Sequence, residues 1–521
     1  MPMKRQRDFS SDARFAIDPA KLKEHSVRSG AITVTEQAIA TGIHTVSTIA
    51  LARLLTPEDY GIVAMVTAIT AFVDLFRELG LSGATIQTRD ITYDQVNALF
   101  WINVSLGAVI TIIIAAAGPA LSWFYHKPQL ALVAAGISLT SILHSLATQH
   151  GALLTRQLRF GTKAIVHITS LIAGLTAAIV LALAGGTYWS LVANSVVAAL
   201  WHTGGLWIAS GFRPALPKRG IKVRHLVRFG VNMAGANIAN YFHRNLDNVL
   251  IGRAWGAEQL GLYNKAYSLL MLPISNLRYP LNRVAFPAMS RLQNEPRAFR
   301  SYFIKYCALL AFLTMPIVTF LFICSKQVIL LLLGPRWLGA AELFSLLALV
   351  SFIQPPATLV GTVQLSLGEA GRYFRRGLFI AISAVIFFFL GLPWGARGVA
   401  IGYCISTYLV LHPSILYAFH KTPLRPIDFY RSIWKPAFAS LVMGLSLLLA
   451  EKLLQRPPDA VLIAILLPLG GLIYLAIYSL LPKGRQNLAD YWSYLAILRR
   501  GALETIAKIR LSNPPEPLIK Q

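Results

Sequence analysis

Asn237, Asn240, Arg244 and Asp247, with Asn248 beside the last, recur every three or four residues in the stretch NIANYFHRNLDNVLIG (residues 237–252). A helix through this stretch carries them on one face. Their chemistry is that of a binding surface. A guanidinium grips phosphate oxygens through paired hydrogen bonds, and carboxamides both donate and accept, as sugar hydroxyls require. The following segment continues the theme with Lys265, Ser268, Ser275, Tyr279 and Asn282 at helical spacing, and with Arg278 and Arg283 beside them. Arg244, Lys265, Arg278 and Arg283 outnumber Asp247, so the stripe favours an anionic head group. Tyr241, Tyr263, Tyr267 and Tyr279 add flat faces suited to sugar rings. Plainer readings stand beside this one. Arg244 and Asp247 sit close enough along a helix to pair with each other, and Lys265 and Arg283, at opposite ends of their segment, could snorkel to an interface.

The surroundings of these residues are unusually apolar. Hydrophobic residues make up 55% of the 521 positions, charged residues 13%, and the mean hydropathy is +0.57, against roughly 25% charge in an ordinary soluble domain. Runs such as VITIIIAAAGPALSWF and VLIAILLPLGGLIYLAIYSLL approach or reach the roughly 20 residues that cross a bilayer core. The expected fold is an all-α polytopic membrane protein of about fourteen transmembrane helices, arranged as two pseudo-symmetric six-helix lobes with two extra C-terminal helices. A centrally placed Arg or Asp costs about 2.5–3.5 kcal/mol on insertion scales, so the polar stripe must be satisfied inside the bundle.

The formal charge of +26 would suggest nucleic acid in a soluble protein, but no basic patch comes with a folded soluble module, and a nucleic-acid partner is set aside. Lys and Arg concentrate instead in alternate connections. Residues 1–28 hold seven, GFRPALPKRGIKVRHLVR (211–228) holds six, and RQLRFGTK, GRYFRR and YRSIWK add more, whereas TYWS, GAEQ and PWGARG hold few. The asymmetry predicts a multi-pass membrane protein with both termini in the cytoplasm. Residues 1–28 lack an apolar h-region, so no cleavable signal peptide is expected.

The organisation follows from these segments: a basic cytoplasmic N-terminal segment (1–28), an N-lobe of six spans (29–209), a basic cytoplasmic linker (210–228), a C-lobe of six spans (229–417), two additional spans (433–481) and a basic amphipathic tail (482–521). A repeat links the halves. Arg28, Gly30, Arg53, Glu58 and Gly61 recur 200 residues on as Arg228, Gly230, Arg253, Glu258 and Gly261, at helix starts and turns. His44 is the counterpart of Arg244, and Gln37 lies on the same polar face of the first span; Asp74, Arg77 and Glu78 extend the polar set into the second. The substrate cavity is therefore expected to involve Gln37, His44 and Arg77 together with Asn237, Asn240, Arg244, Asp247, Asn248, Lys265, Arg278, Asn282 and Arg283. Intramembrane acids available for ion coupling are Glu36, Asp74, Glu78 and Asp247.

Signatures of catalysis and of cofactor binding are missing: no G-x-x-x-x-G-K-[ST], H-E-x-x-H, Cys-x-x-Cys or nucleophile elbow occurs. Cys307, Cys324 and Cys404 are isolated. His144 and His150, six apart, share no ligand face, and His167 and His202 stand alone in their spans, so packing is the expected role of these histidines and no metal is expected.

Three stretches carry a family resemblance: LARLLTPEDYGIVAMV, GLSGATIQTRDITYDQVNALFWINVSLG and LGLYNKAYSLLMLPISNLRYPLNRVAFPAMSRLQNEPRAFRSYF. They resemble the polysaccharide-exporter branch of the MOP flippase superfamily, the Wzx-type flippases, over roughly residues 28–420. The resemblance implies alternating access by two six-helix lobes, moving a polyprenyl-pyrophosphate-linked oligosaccharide from the cytoplasmic to the periplasmic leaflet. Basic residues would hold the pyrophosphate, falling here on Arg244, Arg278 and Arg77. It implies membrane lipids, a polysaccharide polymerase and glycosyltransferases of one pathway as partners, with H+ or Na+ coupling. Two rivals are weighed. A multidrug antiporter of the same superfamily should line its cavity with acids and aromatics, whereas this stripe leans basic. A membrane-embedded glycan polymerase or ligase needs a sizeable outer loop, and none is expected.

Overall fold

Long apolar runs, with backbone groups that find no water in a bilayer, leave the helix as the economical local structure. The computed structural model describes residues 22–74, 81–88, 91–217, 224–454 and 457–493, with side chains described in all of these except 22–28, 71–74, 224–244, Pro280 and Arg283. Their regular elements are helices: α1 Leu22–Leu54, α2 Pro57–Asp74, α3 Leu81–Gln87, α4 Tyr93–Tyr125, α5 Leu130–Arg156, α6 Phe160–Leu183, α7 Trp189–Ser210, α8 Arg224–Arg291, α9 Pro296–Ile323, α10 Ser325–Leu332, α11 Gly339–Ser366, α12 Ala370–Gly391, α13 Gly395–Phe419, α14 Pro426–Leu453 and α15 Asp459–Leu480. Nine stretches among the described residues are long and apolar enough to cross a membrane, one of them, Ala370–Phe419, holding both α12 and α13. Helices α1, α2 and α8 fall outside that set. The cause is visible in their sequences: α2 carries Glu58, Asp59 and Asp74, and α1 and α8 carry the repeated polar faces.

Helix α8 is two helices in series. Gly256 breaks it at φ 82°, ψ −178°, a conformation that a Cβ would strain, and Trp255 just before it donates its indole N–H to the Leu392 carbonyl at 2.7 Å. The short helices α3 and α10 lie between the longer ones.

The described residues fall into two compact units: one contains the chain up to Leu55 and Val66–Ile238, the other Thr56–Met65 and Ala239–Trp492. In the first unit, α4 begins on a capping box in which the Thr92 hydroxyl accepts the Gln95 N–H at 3.3 Å and the Gln95 side-chain oxygen accepts the Thr92 N–H at 3.0 Å. A core of Leu81, Val96, Leu99, Phe100, Leu153 and Phe212 packs around this start. The chain leaving α7 is tied down here as well: Asn97 accepts the Ala215 N–H at 2.9 Å, and Trp101 donates to the Ala215 carbonyl at 2.7 Å.

The second unit is built on Phe299, Phe303, Met315, Val360, Ile415 and Phe429, drawn from α9, α11, α13 and α14. Asp428, buried at the start of α14, is gripped by Arg300 of α9 at 2.8 and 2.6 Å and accepts the Arg425 backbone N–H at 2.8 Å. Both charge and helix end are thereby satisfied.

Within this second unit the 200-residue offset returns as a contact. A methyl group on Gly61 would lie 1.7 Å from the Ala257 carbonyl oxygen, and one on Gly261 would lie 1.8 Å from that of Pro57. Gly61 and Gly261, and Pro57 and Ala257, are each 200 positions apart. Only glycine permits backbones to approach so closely. The crossing explains why Thr56–Met65 groups with the second unit rather than with its chain neighbours.

Candidate functional site

Helix α8 presents Asp247, from the stripe read in the sequence, toward its own second half beyond the Gly256 break. Asp247 is buried, one carboxylate oxygen accepting the Tyr263 hydroxyl at 2.8 Å and the other the backbone N–H of Asn248 at 2.8 Å. Tyr263 is itself 1% exposed and lies within electrostatic reach of Tyr403 on α13, whose hydroxyl accepts a hydrogen bond from Gln354 of α11 at 3.2 Å. A polar seam thus runs through the second unit, and Asn248 adds a buried side-chain oxygen that no protein group meets. Such an atom is costly to leave unpaired, by about 1–3 kcal/mol, and is suited to a hydroxyl or amide donor arriving from elsewhere.

Lys265 lies two residues past Tyr263 on the same helix. It is buried, and its ammonium sits 4.0 Å from the centre of the Tyr60 ring, a cation–π contact of about 2 kcal/mol when desolvated. Tyr60 is held edge-on by the buried Trp337 at 5.3 Å. This lysine is inside the protein rather than reaching for an interface. Arg278 lies half-buried with its guanidinium 5.0 Å from the Tyr279 ring, and Asn282, also half-buried, has a side-chain oxygen without a protein partner.

In the first unit, Gln37 and His44 are exposed on α1, and Glu36 accepts a close contact from His167 of α6 at 2.8 Å. The backbones of Asp74, Asn237, Asn240, Arg244 and Arg283 lie in helices, but their side chains are outside the described residues, as are Arg77 and Glu78 altogether. The expected set is accordingly distributed: Asp247, Asn248, Lys265, Arg278 and Asn282 belong to the second unit, and Glu36, Gln37 and His44 to the first.

Sequence reasoning missed Tyr60, Gln354 and Tyr403, each a polar-tipped side chain in an apolar run, because their partners are distant in the chain. It also set His144 beside His150 and read His167 and His202 as alone in their spans. Packing brings the three close: the His167 and His202 ring centres are 6.2 Å apart, and those of His144 and His202 are 6.3 Å apart. Their depth was a usable signal. His144 lies twelve residues before Arg156, His167 seven after Phe160 and His202 eight before Ser210, or roughly 10–18 Å from the same side at about 1.5 Å per residue. Among the described residues no three His, Cys, Asp or Glu side chains converge closely enough to hold a metal ion.

Comparison with known proteins fits this architecture. The chain is 23% identical over 436 residues to the lipopolysaccharide biosynthesis protein WzxC of Escherichia coli (strain K12), covering 81% of this chain and 86% of that protein. It is 26% identical over 425 residues to the succinoglycan biosynthesis transport protein ExoT of Rhizobium meliloti (strain 1021), with 81% and 86% covered, and 25% identical over 383 residues to the teichuronic acid biosynthesis protein TuaB of Bacillus subtilis (strain 168), with 72% and 78% covered. Among solved structures, the fold is shared with the lipid II flippase MurJ in an inward closed conformation, with a TM-score of 0.70, 13% identity, and 85% of this chain and 97% of that one covered. It is also shared with an inward-facing multidrug resistance MATE family transporter of the MOP superfamily, with a TM-score of 0.57, 16% identity, and 75% and 96% covered. A family profile described as polysaccharide biosynthesis protein matches residues 50–342. With that match spanning more than half of its length, the chain belongs to the polysaccharide biosynthesis protein family.

Proposed function

We propose that this multi-pass membrane protein is a flippase that carries a polyprenyl-pyrophosphate-linked oligosaccharide repeat unit from the cytoplasmic to the outer leaflet for polysaccharide export. The observation that carries the reading is Lys265, a cation buried in the second unit against an aromatic ring, on the same kinked helix as Asp247 and Arg278. A chain keeps a desolvated ammonium inside apolar helices when an anion must be met there. Likeness over about four-fifths of the chain to proteins named for polysaccharide biosynthesis and transport supports the same reading. The basic balance of the stripe argues against an organic-cation exporter, whose cargo it would repel.

On this reading, Arg244, Arg278 and Arg77 meet the pyrophosphate, Asn237, Asn240, Asn248 and Asn282 meet sugar hydroxyls, and transport proceeds by alternating access. The protein is a transporter rather than an enzyme, placed in the bacterial inner membrane with both termini cytoplasmic, beside the glycosyltransferases and polymerase of its pathway. Glu36, Asp74, Glu78 and Asp247 are the acids available to a coupling H+ or Na+. The direct test is a deletion strain, in which lipid-linked repeat units should accumulate on the cytoplasmic face of the membrane and return to the outer face on complementation. Arg244→Ala should insert normally and fail to complement; full export by that variant would remove Arg244 from the site, and outer-leaflet repeat units in the deletion strain would remove the function.

A further inference from the structure

The start of α12, in the second unit, carries more positive charge than the acid beside it balances. The run GRYFRR supplies Arg372, Arg375 and Arg376 against Glu369, and Lys421 stands exposed just past α13. Arg372 is fully engaged: it meets Glu369 at 2.6 Å, the His420 carbonyl at 2.8 Å and the Tyr417 carbonyl. The other two arginines differ. Arg376 turns inward, its Nε donating to the Gln364 side-chain oxygen of α11 at 2.9 Å and its Nη1 to the Ser414 hydroxyl of α13 at 3.1 Å. Both partners are neutral. Arg375 is exposed and donates to the Gly371 carbonyl at 3.4 Å. Among the described residues, neither guanidinium meets a carboxylate.

Two donors stay open there. The Arg376 Nη2 lies over the α11 backbone at Gly361, where a Cβ would come within 2.6 Å of it and 2.9 Å of the Tyr373 ring. The Gln364 amide nitrogen, on a side chain with 0% exposure, has no acceptor. That carboxamide already touches Arg376, so the two unmet donors are neighbours. An arginine held only for structure is matched to a carboxylate, as Arg300 is to Asp428 in the same unit, and one that snorkels extends to water instead of turning between helices. Donors gathered without an acid are what a phosphate oxygen completes. The apolar neighbours say which kind of phosphate. Phe374, Leu378, Phe379, Ile382 and Ile386 are exposed along α12 past these arginines, and in a multi-pass membrane protein such a face lies against acyl chains. Positive charge capping an apolar stripe suits a lipid rather than a soluble anion.

We propose that the start of α12, together with α11 and α13, is a binding site for the phosphodiester head group of an anionic phospholipid. Arg376 and Gln364 hold its non-bridging oxygens, Arg375 and Lys421 line the rim, and the acyl chains lie along Phe379, Ile382 and Ile386. Gly361 leaves the room that the Arg376 guanidinium occupies, so the site is written into α11 as well as α12. It draws on none of the residues assigned to cargo, and it does not rest on the flippase reading.

The test titrates the purified full-length protein with dioleoyl phosphatidylglycerol and, separately, with dioleoyl phosphatidylcholine, and counts bound lipids by native mass spectrometry. Wild-type protein should bind phosphatidylglycerol more tightly. Arg376→Gln and Arg375→Gln should each weaken that binding about fivefold and leave phosphatidylcholine unchanged. Arg397→Gln, which removes an exposed pair with Glu342 at the other end of the α12–α13 hairpin, should behave as wild type. Equal binding of the two lipids by wild type, or undiminished phosphatidylglycerol binding by Arg376→Gln, would overturn the site. Should Arg376→Gln not fold, Arg375→Gln at its exposed position decides the matter. Competition separates the sources of phosphate. Inorganic phosphate in large excess should leave the phospholipid bound, and displacement by it would make this a free-anion site instead. Equimolar undecaprenyl pyrophosphate should not displace it either; displacement that disappears in Arg376→Gln would give these arginines to a different lipid and overturn the proposal.

Discussion

The two units treat buried polarity differently. In the second, three buried charges meet fixed partners, Asp247 the Tyr263 hydroxyl, Lys265 the Tyr60 face and Asp428 Arg300, while Asn248 and Asn282 keep unmet oxygens. In the first, Glu36 meets His167, the rings of His144 and His167 each lie near that of His202, and a buried ring nitrogen of His202 meets no protein group. The difference teaches that a polar group inside apolar helices has two uses. Locked to a neighbour, it holds geometry; left short of partners, it is open to a group arriving from elsewhere.

The largest effect that would break this contrast comes from removing the buried cation. Lys265→Ala should abolish glycan export in the complementation assay while membrane abundance remains, and near-wild-type export would mean that the fixed charge of the second unit serves stability only. Next is Asp247→Ala, which strands the buried Tyr263 hydroxyl and should cost about 1–3 kcal/mol, read as a lowered midpoint in thermal unfolding of the purified protein. Asp247→Asn, which keeps an acceptor, should recover most of that loss. Tyr60→Leu should cost about 2 kcal/mol through the lost cation–π contact, with Tyr60→Phe close to wild type; equal losses for both would mean that the hydroxyl, not the ring face, supports Lys265. Smallest is Thr85→Val. It removes the hydrogen bond of 2.7 Å to the buried Gln149 side chain and should shift stability by about 1 kcal/mol without changing export.

The helix through Asn237 to Asn248 was legible because helical spacing is written directly into consecutive residues, and the apolar runs announced a membrane bundle for the same reason. The repeat was legible through punctuation, and Gly61 and Gly261 reappear at the tightest backbone crossing in the second unit. The break at Gly256 was harder to see, since one glycine among 37 does not declare its φ. Harder still were Tyr60 beneath Lys265, 205 positions away, and Tyr403 beyond Tyr263. Contacts between helices depend on rotation and crossing angle, which no single helix encodes. The histidines illustrate the limit: each alone is ordinary, and only the packing of α1, α5, α6 and α7 makes them a group.

The reciprocal glycine crossing has a consequence for how this chain assembles. Gly61 meeting Ala257 while Gly261 meets Pro57 is the i-to-j, j-to-i pattern of an isologous dimer interface, here written twice into one polypeptide. Covalent linkage turns what would be a bimolecular encounter into an intramolecular one, so this junction closes at a rate set by the length of chain between its sides, whether a cell makes many copies of the protein or very few.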